Sequence, residues 1–233
     1  QNIDPSLNQA KASYEQQPDL WLNYQPAARP SQLSPVIELR HSQFEHEALT
    51  EGKRSYGHFG IGLPLHVGAV RMRPSIGYQS QYYDLESDTQ KQTLSSGSSY
   101  GQLKIDATFE KQSRDSFNSL EPSLVYLYRE VTEGRSDIDN LVMFDSNISS
   151  FNRYKFSALS QFSGYDIVEE TNQLAVALSH HHSRPKNASQ ASVTLGQILY
   201  FQPQQILDNT GSIVDSNSRR SNFVADFSYT TPH

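Results

Sequence analysis

The chain has 233 residues, a formal net charge of −6 and no cysteine. The lack of cysteine excludes disulfide bonds and cysteine-based metal sites within this span, and the acidic balance disfavours nucleic acid as a partner. No apolar run approaches the roughly 18 residues of a membrane-spanning helix, while 13 tyrosines and 11 phenylalanines favour strands. A transmembrane β-barrel, apolar outside and polar inside, fits a composition with 36% hydrophobic residues.

The first 35 residues are polar and contain five prolines. Proline removes a hydrogen-bond donor from a sheet and favours turns. Residues 1–35 are therefore predicted to form a loop with one poor strand, near residues 20–24. Residues 36–233 are predicted to hold the barrel strands and their loops, so that residues 1–233 form a single segment.

Two kinds of side chain alternate in residues 70–83. Successive side chains of a strand point to opposite faces of the sheet. Apolar residues fall on one face and polar residues on the other: Val70, Met72, Ile76, Tyr78 and Tyr82 against Arg71, Arg73, Ser75, Gln79 and Gln81. At about 3.3 Å per residue this strand would extend about 46 Å, ample for a tilted strand that crosses a bilayer.

The same alternation recurs along the chain, and no stretch sustains the 3.6-residue period of a helix. Eight strands are predicted, at residues 36–44, 56–65, 69–83, 99–110, 120–129, 171–181, 191–201 and 220–230. Short connections (66–68, 111–118, 182–190) alternate with long ones (83–98, 130–170, 202–219). Outer-membrane barrels have short turns at one end and long loops at the other, so the predicted fold is an all-β, antiparallel transmembrane barrel segment.

Three prolines fall within predicted strands, namely Pro64, Pro74 and Pro122. Because proline cannot donate to the ladder, we expect bulges that bend the barrel wall at these positions. The alternative is that these prolines mark a place where the pairing between neighbouring strands is locally weakened.

Motifs between residues 120 and 201 resemble one family. Residues 120–128 read LEPSLVYLY, 136–138 read SDI, 144–146 read FDS, 162–166 read FSGYD, 171–173 read TNQ and 195–201 read LGQILYF. These runs resemble the LEP…YLY strand, the SDI…DS loop, the FSG-x-DR…ANQ strand entry and the GQ-x-YF strand of the LptD family of lipopolysaccharide-assembly barrels. Arg54, GLPL at 62–65 and RP at 73–74 resemble the family's R…LPL…P hairpin.

The resemblance implies transport and assembly rather than an enzyme, with no cofactor. Lipopolysaccharide would be inserted into the outer leaflet of the outer membrane of a Gram-negative bacterium. The implied partners are lipopolysaccharide, outer-membrane lipid, an LptE-type lipoprotein plug inside the barrel, and periplasmic Lpt bridge proteins that contact an N-terminal domain outside this sequence. No nucleic acid is expected.

The resemblance also implies that this sequence is one arc of a larger barrel wall. A family barrel has about 26 strands, so an open curved sheet of about 8–10 strands is expected, completed by strands from outside this sequence. A closed eight-stranded barrel would force the inward charges to pair in a narrow dry core, at considerable desolvation cost.

Two positions depart from the family pattern. The family usually has arginine before the FSG phenylalanine and after the following aspartate, where this chain has Gln161 and Ile167. The role of those arginines therefore does not carry over to this chain.

The first candidate site residues are polar side chains that alternate with the apolar ones and would point into the barrel: Arg71, Arg73, Gln79, Lys104 and Asp106. A lysine or arginine on the lipid side would cost about 2–4 kcal/mol at the bilayer midplane, so parity predicts that these residues face the lumen. There they keep a water-filled interior polar or, by the resemblance, contact the lipoprotein plug or the anionic head of lipopolysaccharide.

The family-motif loop supplies the second candidate set: Phe162, Ser163, Gly164, Asp166 and Asn172. The connection 130–170 is unusually long for a segment without a function or structure of its own. It carries aromatic residues that a freely solvated loop disfavours, namely Phe144, Phe151, Tyr154, Phe156 and Phe162. We therefore predict that it packs inward against the lumen or the plug. Its acidic residues, in 137–145 and at Glu169 and Glu170, are expected to be solvated.

No constellation in the sequence points to catalysis or to a metal. Three successive histidines, His180, His181 and His182, would alternate between faces in a strand, so a rim or turn location is expected rather than a shared metal site. There is no G-x-S-x-G and no phosphate-cradling glycine loop.

Two other function classes remain as alternatives. A porin-like barrel would conduct solute through the same polar lumen. A soluble carbohydrate-binding β-sandwich would bury the apolar face of the sheet against a second sheet, and it would purify without detergent.

Overall fold

The computed structural model describes residues 14–46, 50–87, 90–134, 143–148, 153–184, 186, 188–207 and 213–231. Phe151 and the SDI motif at 136–138 lie outside the described residues. Within these ranges the chain is almost entirely β-structure, with one short 3-10 helix at Arg153–Phe156. No helix among them is long and apolar enough to cross a membrane.

The strands follow one another along the chain in this order: β1 (Glu15–Tyr24), β2 (Ser34–Glu45), β3 (Glu51–Gly62), β4 (Leu65–Val67), β5 (Val70–Ser87), β6 (Gln90–Ala107), β7 (Phe109–Gln112), β8 (Phe117–Glu133), β9 (Asn147–Ile148), β10 (Phe162–Ser163), β11 (Thr171–Arg184), β12 (Ser189–Tyr200), β13 (Gln204–Leu207), β14 (Ile213–Ser216) and β15 (Val224–Thr230). All eight predicted strands and the poor strand predicted near residues 20–24 are present, the last as β1.

One antiparallel sheet contains eleven of these strands. Its order is β1-β2-β3-β5-β6-β8-β11-β12-β15, with β4 paired to β5 and β7 paired to β8. The strands β9 and β10 form a separate pair, as do β13 and β14. Within the described residues β1 and β15 each pair on one side only, so the sheet is open, and the predicted fold class is confirmed.

The two faces of the sheet differ as the period-two pattern predicts. We call the side of Arg71, Arg73, Gln79 and Gln81 the loop-bearing face, because the connection between β8 and β11 packs on it. The opposite side is the apolar face. Large exposed side chains cover the apolar face: Leu39, Phe59, Ile61, Ile76, Tyr82, Leu124, Tyr126, Tyr128, Val176, Leu178, Leu195, Leu199, Phe223, Phe227 and Tyr229.

The three prolines lie beside interruptions of the ladder, but the bulges expected there are wrong, because the strand register is the same on both sides of each interruption. The pairing of β3 with β5 stops at Gly62, and that of β4 begins at Leu65, so Pro64 and the facing Pro74 occupy the break. The Leu63 N–H still donates to the Pro74 carbonyl at 3.0 Å. Pro122 faces the break between β6 and β7. Each of the three prolines therefore lies beside a break in one ladder, although Pro74 and Pro122 remain in register with the strand on their other side.

The two longest connections, from β8 to β11 and from β12 to β15, lie at the same end of the sheet. The predicted long loop at 83–98 is wrong, because β5 and β6 stay paired as far as Ser87 and Gln90. Tertiary packing extends these polar strands: Leu85 and Leu94 are buried with Phe44, Tyr83 and Phe144. A polar, serine-rich stretch forms strand when its few apolar residues find a buried cluster.

Candidate functional site

The connection between β8 and β11, hereafter the clasp loop (residues 134–170), packs against the loop-bearing face. The Phe144 ring stacks on Phe44 of β2 with centroids 4.3 Å apart. Phe156 is buried with Val125, Ala175 and Ile198, and Phe162 is also buried. Burial of these aromatic residues removes apolar surface from water. Three of the loop's aromatic residues therefore pack on the loop-bearing face, whereas Tyr154 is 69% exposed.

Arg54 of β3 joins the clasp loop to the sheet. Its side chain is 1% exposed, and its guanidinium binds two loop carboxylates. Both terminal nitrogens donate to Asp145, with Nη1 to Oδ1 at 2.8 Å and Nη2 to Oδ2 at 2.5 Å. The same Nη1 donates to Asp166, which is fully buried. A buried guanidinium needs such charged partners to offset its desolvation.

Asp166 also organises the backbone of the clasp loop. Its Oδ2 accepts the N–H groups of Asp145 at 2.8 Å and Ser146 at 2.9 Å, and its Oδ1 accepts the Tyr83 hydroxyl at 3.2 Å. Arg54 can neutralise only one of the two carboxylates. Burial therefore raises the pKa of Asp166 to about 6, with the neighbouring Asp145 adding to the rise against the opposing effect of Arg54. Burial acts to raise the pKa of Asp145, but the hydrogen bond and the charge of Arg54, together with the Tyr165 N–H, lower it below its usual range.

Tyr165 fixes the tip of the clasp loop on β2, β3 and β5. Its carbonyl accepts the side-chain amide of Gln81, and its hydroxyl donates to Glu38 at 2.7 Å. The Arg40 guanidinium lies 4.8 Å from the Tyr165 ring centroid, and the Tyr56 ring packs edge-on at 4.6 Å. Burial, followed by the bond to Glu38, raises the pKa of the Tyr165 hydroxyl.

Gly164 is required by the geometry of the clasp. Its φ is +74°, a conformation that side chains with a Cβ disfavour. A Cβ there would also lie 2.5 Å from Asp145 Oδ1 and 2.6 Å from the Asp145 carbonyl oxygen. Close approach of the FSG turn to Asp145 therefore needs glycine.

Four of the five motif residues meet at the clasp. Phe162 is buried, Ser163 pairs its backbone with Asn147 through β9 and β10, and Gly164 and Asp166 contact Asp145. Asn172 does not join them. It lies on β11, where its side chain accepts the Tyr126 hydroxyl at 3.0 Å. Period-two alternation of β11 turns Asn172 to the apolar side while Thr171 faces the loop.

Two further buried charges of opposite sign lie beside the clasp. Arg129 of β8 and Glu169 of the loop are each 2% exposed. Arg129 donates to Gln79 at 2.6 Å, and Glu169 accepts the Gln161 N–H at 2.7 Å. Burial raises the pKa of Glu169 against the opposing charge of Arg129. The expectation that Glu169 is solvated is wrong, because the clasp loop folds back over it.

The two positions that depart from the family pattern are both structural here. Gln161 donates to Gln204 at 3.2 Å and contacts the Tyr200 hydroxyl at 3.5 Å. Ile167 is buried. Neither position carries a charge that could replace an arginine.

Polar residues of the loop-bearing face, near the short turns, surround a pocket of about 300 Å³. Its walls include four of the predicted site residues, Arg71, Arg73, Lys104 and Asp106, together with His66. Arg71 Nε donates to Asp106 at 2.6 Å, and Lys104 lies 3.9 Å from the same carboxylate. We call this the basic pocket. These four residues share one face of the sheet, as the alternation of side chains along the two strands predicts.

A second cavity of about 460 Å³ adjoins the basic pocket, with Arg73 in the wall of both. Its lining is rich in amides and ring residues: Asn23, Gln25, Tyr56, His58, Gln79, Tyr100 and Gln102. Tyr100 is held by a contact of its hydroxyl with His58 Nε2 at 2.9 Å. Gln79, the fifth predicted residue, therefore belongs to this cavity rather than to the basic pocket.

The histidines at 180–182 do not form a cluster. His182 Nδ1 contacts the Asn118 side chain at 2.8 Å, and consecutive residues of β11 alternate between faces. Across the described part of the chain, no three metal-ligating side chains converge.

Comparison with known proteins gives one family. The model of the LptD family, described as LPS transport system D, matches residues 1–233. Curated relatives bear the name LPS-assembly protein LptD. The one from Thiobacillus denitrificans is 27% identical over 176 residues, which cover 73% of this chain and 24% of the relative.

Two further relatives with the same name show similar coverage. The protein of Neisseria gonorrhoeae is 26% identical over 196 residues, covering 81% of this chain and 24% of the relative. That of Pseudomonas aeruginosa strain LESB58 is 27% identical over 175 residues, covering 68% of this chain and 18% of the relative. The chain therefore spans about a quarter or less of the length of these relatives.

Proposed function

This chain belongs to the LptD family, LPS transport system D, and on that premise we propose that it forms part of the wall of an outer-membrane β-barrel that assembles lipopolysaccharide at the cell surface. The observation that carries the proposal is the two-faced open sheet. Its apolar face suits lipid, and its loop-bearing face suits a hydrated interior.

The apolar face supports a membrane location. Ile76 is 65% exposed and Phe227 is 73% exposed, although both are strongly apolar. Each apolar side chain that moves from water into lipid gains about 25 cal/mol per Å² of surface. The strands are long enough to cross a bilayer, since β5 and β6 each have 18 residues and a tilted span needs about 9–11.

The loop-bearing face supports an interior that is partly filled. The clasp loop occupies the end of this face where the longest connections lie, which is the cell-exterior end in outer-membrane barrels. The basic pocket lies at the other end. The unfilled part of the face offers polar and charged side chains to the implied partners, which are lipopolysaccharide, an LptE-type lipoprotein plug and, through regions outside this sequence, the periplasmic Lpt bridge proteins.

The alternatives fit less well. A β-sandwich needs a second sheet against the apolar face, yet the large side chains of that face are exposed throughout the described residues. A porin-like barrel would share the two-faced wall. It differs in its cargo, and the family match favours lipopolysaccharide. Insertion of a glycolipid makes and breaks no covalent bond, so the chain needs no catalytic constellation.

Depletion of the full-length protein in its native host tests this proposal. With the gene under a repressible promoter, newly made lipopolysaccharide should stop reaching the outer leaflet before growth stops. A porin would instead lose uptake of small solutes and leave lipopolysaccharide delivery intact. Normal delivery of lipopolysaccharide in depleted cells would contradict the proposal.

A further inference from the structure

The basic pocket carries an excess of positive charge within an acidic chain. Three cations, Arg71, Arg73 and Lys104, face one carboxylate, Asp106. Three positive charges less one negative charge leave a net charge of +2, whereas the whole chain has a net charge of −6. Local charge of this kind attracts anions and raises their concentration at the site.

Arg73 is the cation that is available to a ligand. Asp106 is already bound by Arg71 at 2.6 Å and approached by Lys104 at 3.9 Å. Among the described residues Arg73 has no acidic partner. A guanidinium presents a planar fork of donors that matches two oxygens of a phosphate. Arg73 therefore supplies the donor pair, and Arg71 and Lys104 supply further charge beside it.

The adjoining cavity indicates what the anion is attached to. It is lined by side-chain amides, among them Gln79 and Gln102, and by the rings of Tyr56 and Tyr100. Amides donate and accept hydrogen bonds at once, as hydroxyl-rich ligands require, and aromatic rings offer flat apolar surfaces with a polar edge. Its volume of about 460 Å³ lies within the usual range of small-molecule sites.

We propose that Arg71, Arg73 and Lys104 bind the phosphate of a phosphorylated saccharide, whose sugar ring occupies the adjoining cavity between Tyr100 and Gln102. This inference rests on the proposed function, since lipopolysaccharide is a phosphorylated glycolipid, and it assigns one site within that function. A protein partner with an acidic side chain would engage the cations without filling the adjoining cavity.

Binding to the full-length protein in detergent tests the site. Three probes are compared: purified lipopolysaccharide, the same lipopolysaccharide after enzymatic removal of its phosphates, and inorganic phosphate alone. The variant is Arg73→Ala. The matched control is Arg184→Ala, an exposed arginine at the end of β11 outside both cavities. Lys104→Ala serves as a second variant if Arg73→Ala does not fold.

Loss of one charged contact should weaken binding of lipopolysaccharide about tenfold or more, with Arg184→Ala unchanged. Dephosphorylated lipopolysaccharide should bind the wild type as weakly as intact lipopolysaccharide binds Arg73→Ala. Equal affinity for inorganic phosphate and lipopolysaccharide would assign the site to free phosphate and overturn the saccharide assignment. Equal binding of lipopolysaccharide by Arg73→Ala and Arg184→Ala would overturn the site altogether.

The two proposals fail in different ways. If only the site is wrong, depletion of the protein still blocks lipopolysaccharide delivery, and Arg73→Ala binds lipopolysaccharide normally. If only the transport function is wrong, delivery continues in depleted cells while binding of the phosphorylated saccharide still depends on Arg73.

Discussion

Arg54 and Asp166 are 112 residues apart in the chain, yet their side chains form a fully buried ion pair. The pair fastens the clasp loop to β3, and Asp145 completes it. Substitution of Arg54 by alanine should therefore release the loop. A buried pair that loses one partner costs roughly 3–5 kcal/mol, because the remaining charge stays desolvated. Limited proteolysis of the full-length protein in detergent should cut within the loop at least tenfold faster.

Lys91→Ala provides the matched control for this substitution. Lys91 pairs with Glu86 at 2.8 Å, but both side chains are well exposed, and exposed pairs contribute little to stability. Cleavage of the loop should not change in Lys91→Ala. Equal protection of the loop in wild type and Arg54→Ala would show that the aromatic contacts hold it without the ion pair.

Gly164→Ala should loosen the same loop through the backbone. A left-handed conformation costs a residue with a Cβ about 1–2 kcal/mol, and the contact with Asp145 at 2.5 Å adds to this. Gly101→Ala is the control, because a Cβ at Gly101 meets nothing within 4 Å. Hydrogen exchange of the clasp loop measures both. A similar rise in hydrogen exchange in both variants would contradict the claim that the clasp loop requires glycine at position 164.

The buried carboxyl of Asp166 should make the stability of the protein depend on pH. Its pKa is about 6 in the folded protein against about 3.9 in an unfolded chain. Between these values the folded state holds a proton that the unfolded state has lost. Stability relative to Asp166→Asn should therefore fall as the pH rises from about 4 to about 6, and level off above.

Chemical unfolding of wild type and Asp166→Asn across this pH range measures the difference. Asp145, whose pKa is lowered, titrates below the range, and Glu169 is common to both proteins. If the free energy of unfolding of the wild type instead increased with pH relative to that of Asp166→Asn, the charge of Arg54 would outweigh burial and lower the pKa of Asp166.

The two faces of the sheet should tolerate charge differently. Arginine at Ile76 or Ile105 would place a cation in lipid, at a cost of about 2–4 kcal/mol near the midplane. Assembly of the full-length barrel, followed by its heat-modifiable mobility on gels, should fall sharply in these variants. Alanine at Arg71 or Lys104 should be much milder. Equal tolerance on the two faces would contradict the assignment.

The strands and their two faces could be predicted from the sequence, because they depend on the local alternation of apolar and polar residues. Period-two alternation alone places Ile76 and Arg71 on opposite faces, whereas the bulge expected at Pro74 is wrong, because the register of β5 with its neighbours does not change there. The stretch 83–98 was misjudged, because its strands depend on Leu85 and Leu94 reaching Phe144, about 50 residues farther along the chain.

The clasp could be predicted only in part. The aromatic content of the loop indicated inward packing, and the family motif indicated Gly164 and Asp166. Nothing in the spacing pairs Arg54 with Asp145 and Asp166, because these ion pairs form only when the loop folds back on the sheet. The one signal in the sequence that could have identified Arg54 and Arg129 as buried site residues is that each is an arginine at a strand position on the face opposite the apolar side chains.

Ser75 and Ile76 offer the most direct test of the central claim, which is that the sheet is a wall between lipid and a polar interior. They are neighbours in β5 at the same depth but on opposite faces. A spin label at each position, in the full-length protein reconstituted in lipid, reports collisions with oxygen and with a water-soluble nickel chelate. The label at Ile76 should meet oxygen and exclude nickel, and the label at Ser75 should do the reverse. Equal access of nickel to both positions would contradict the account.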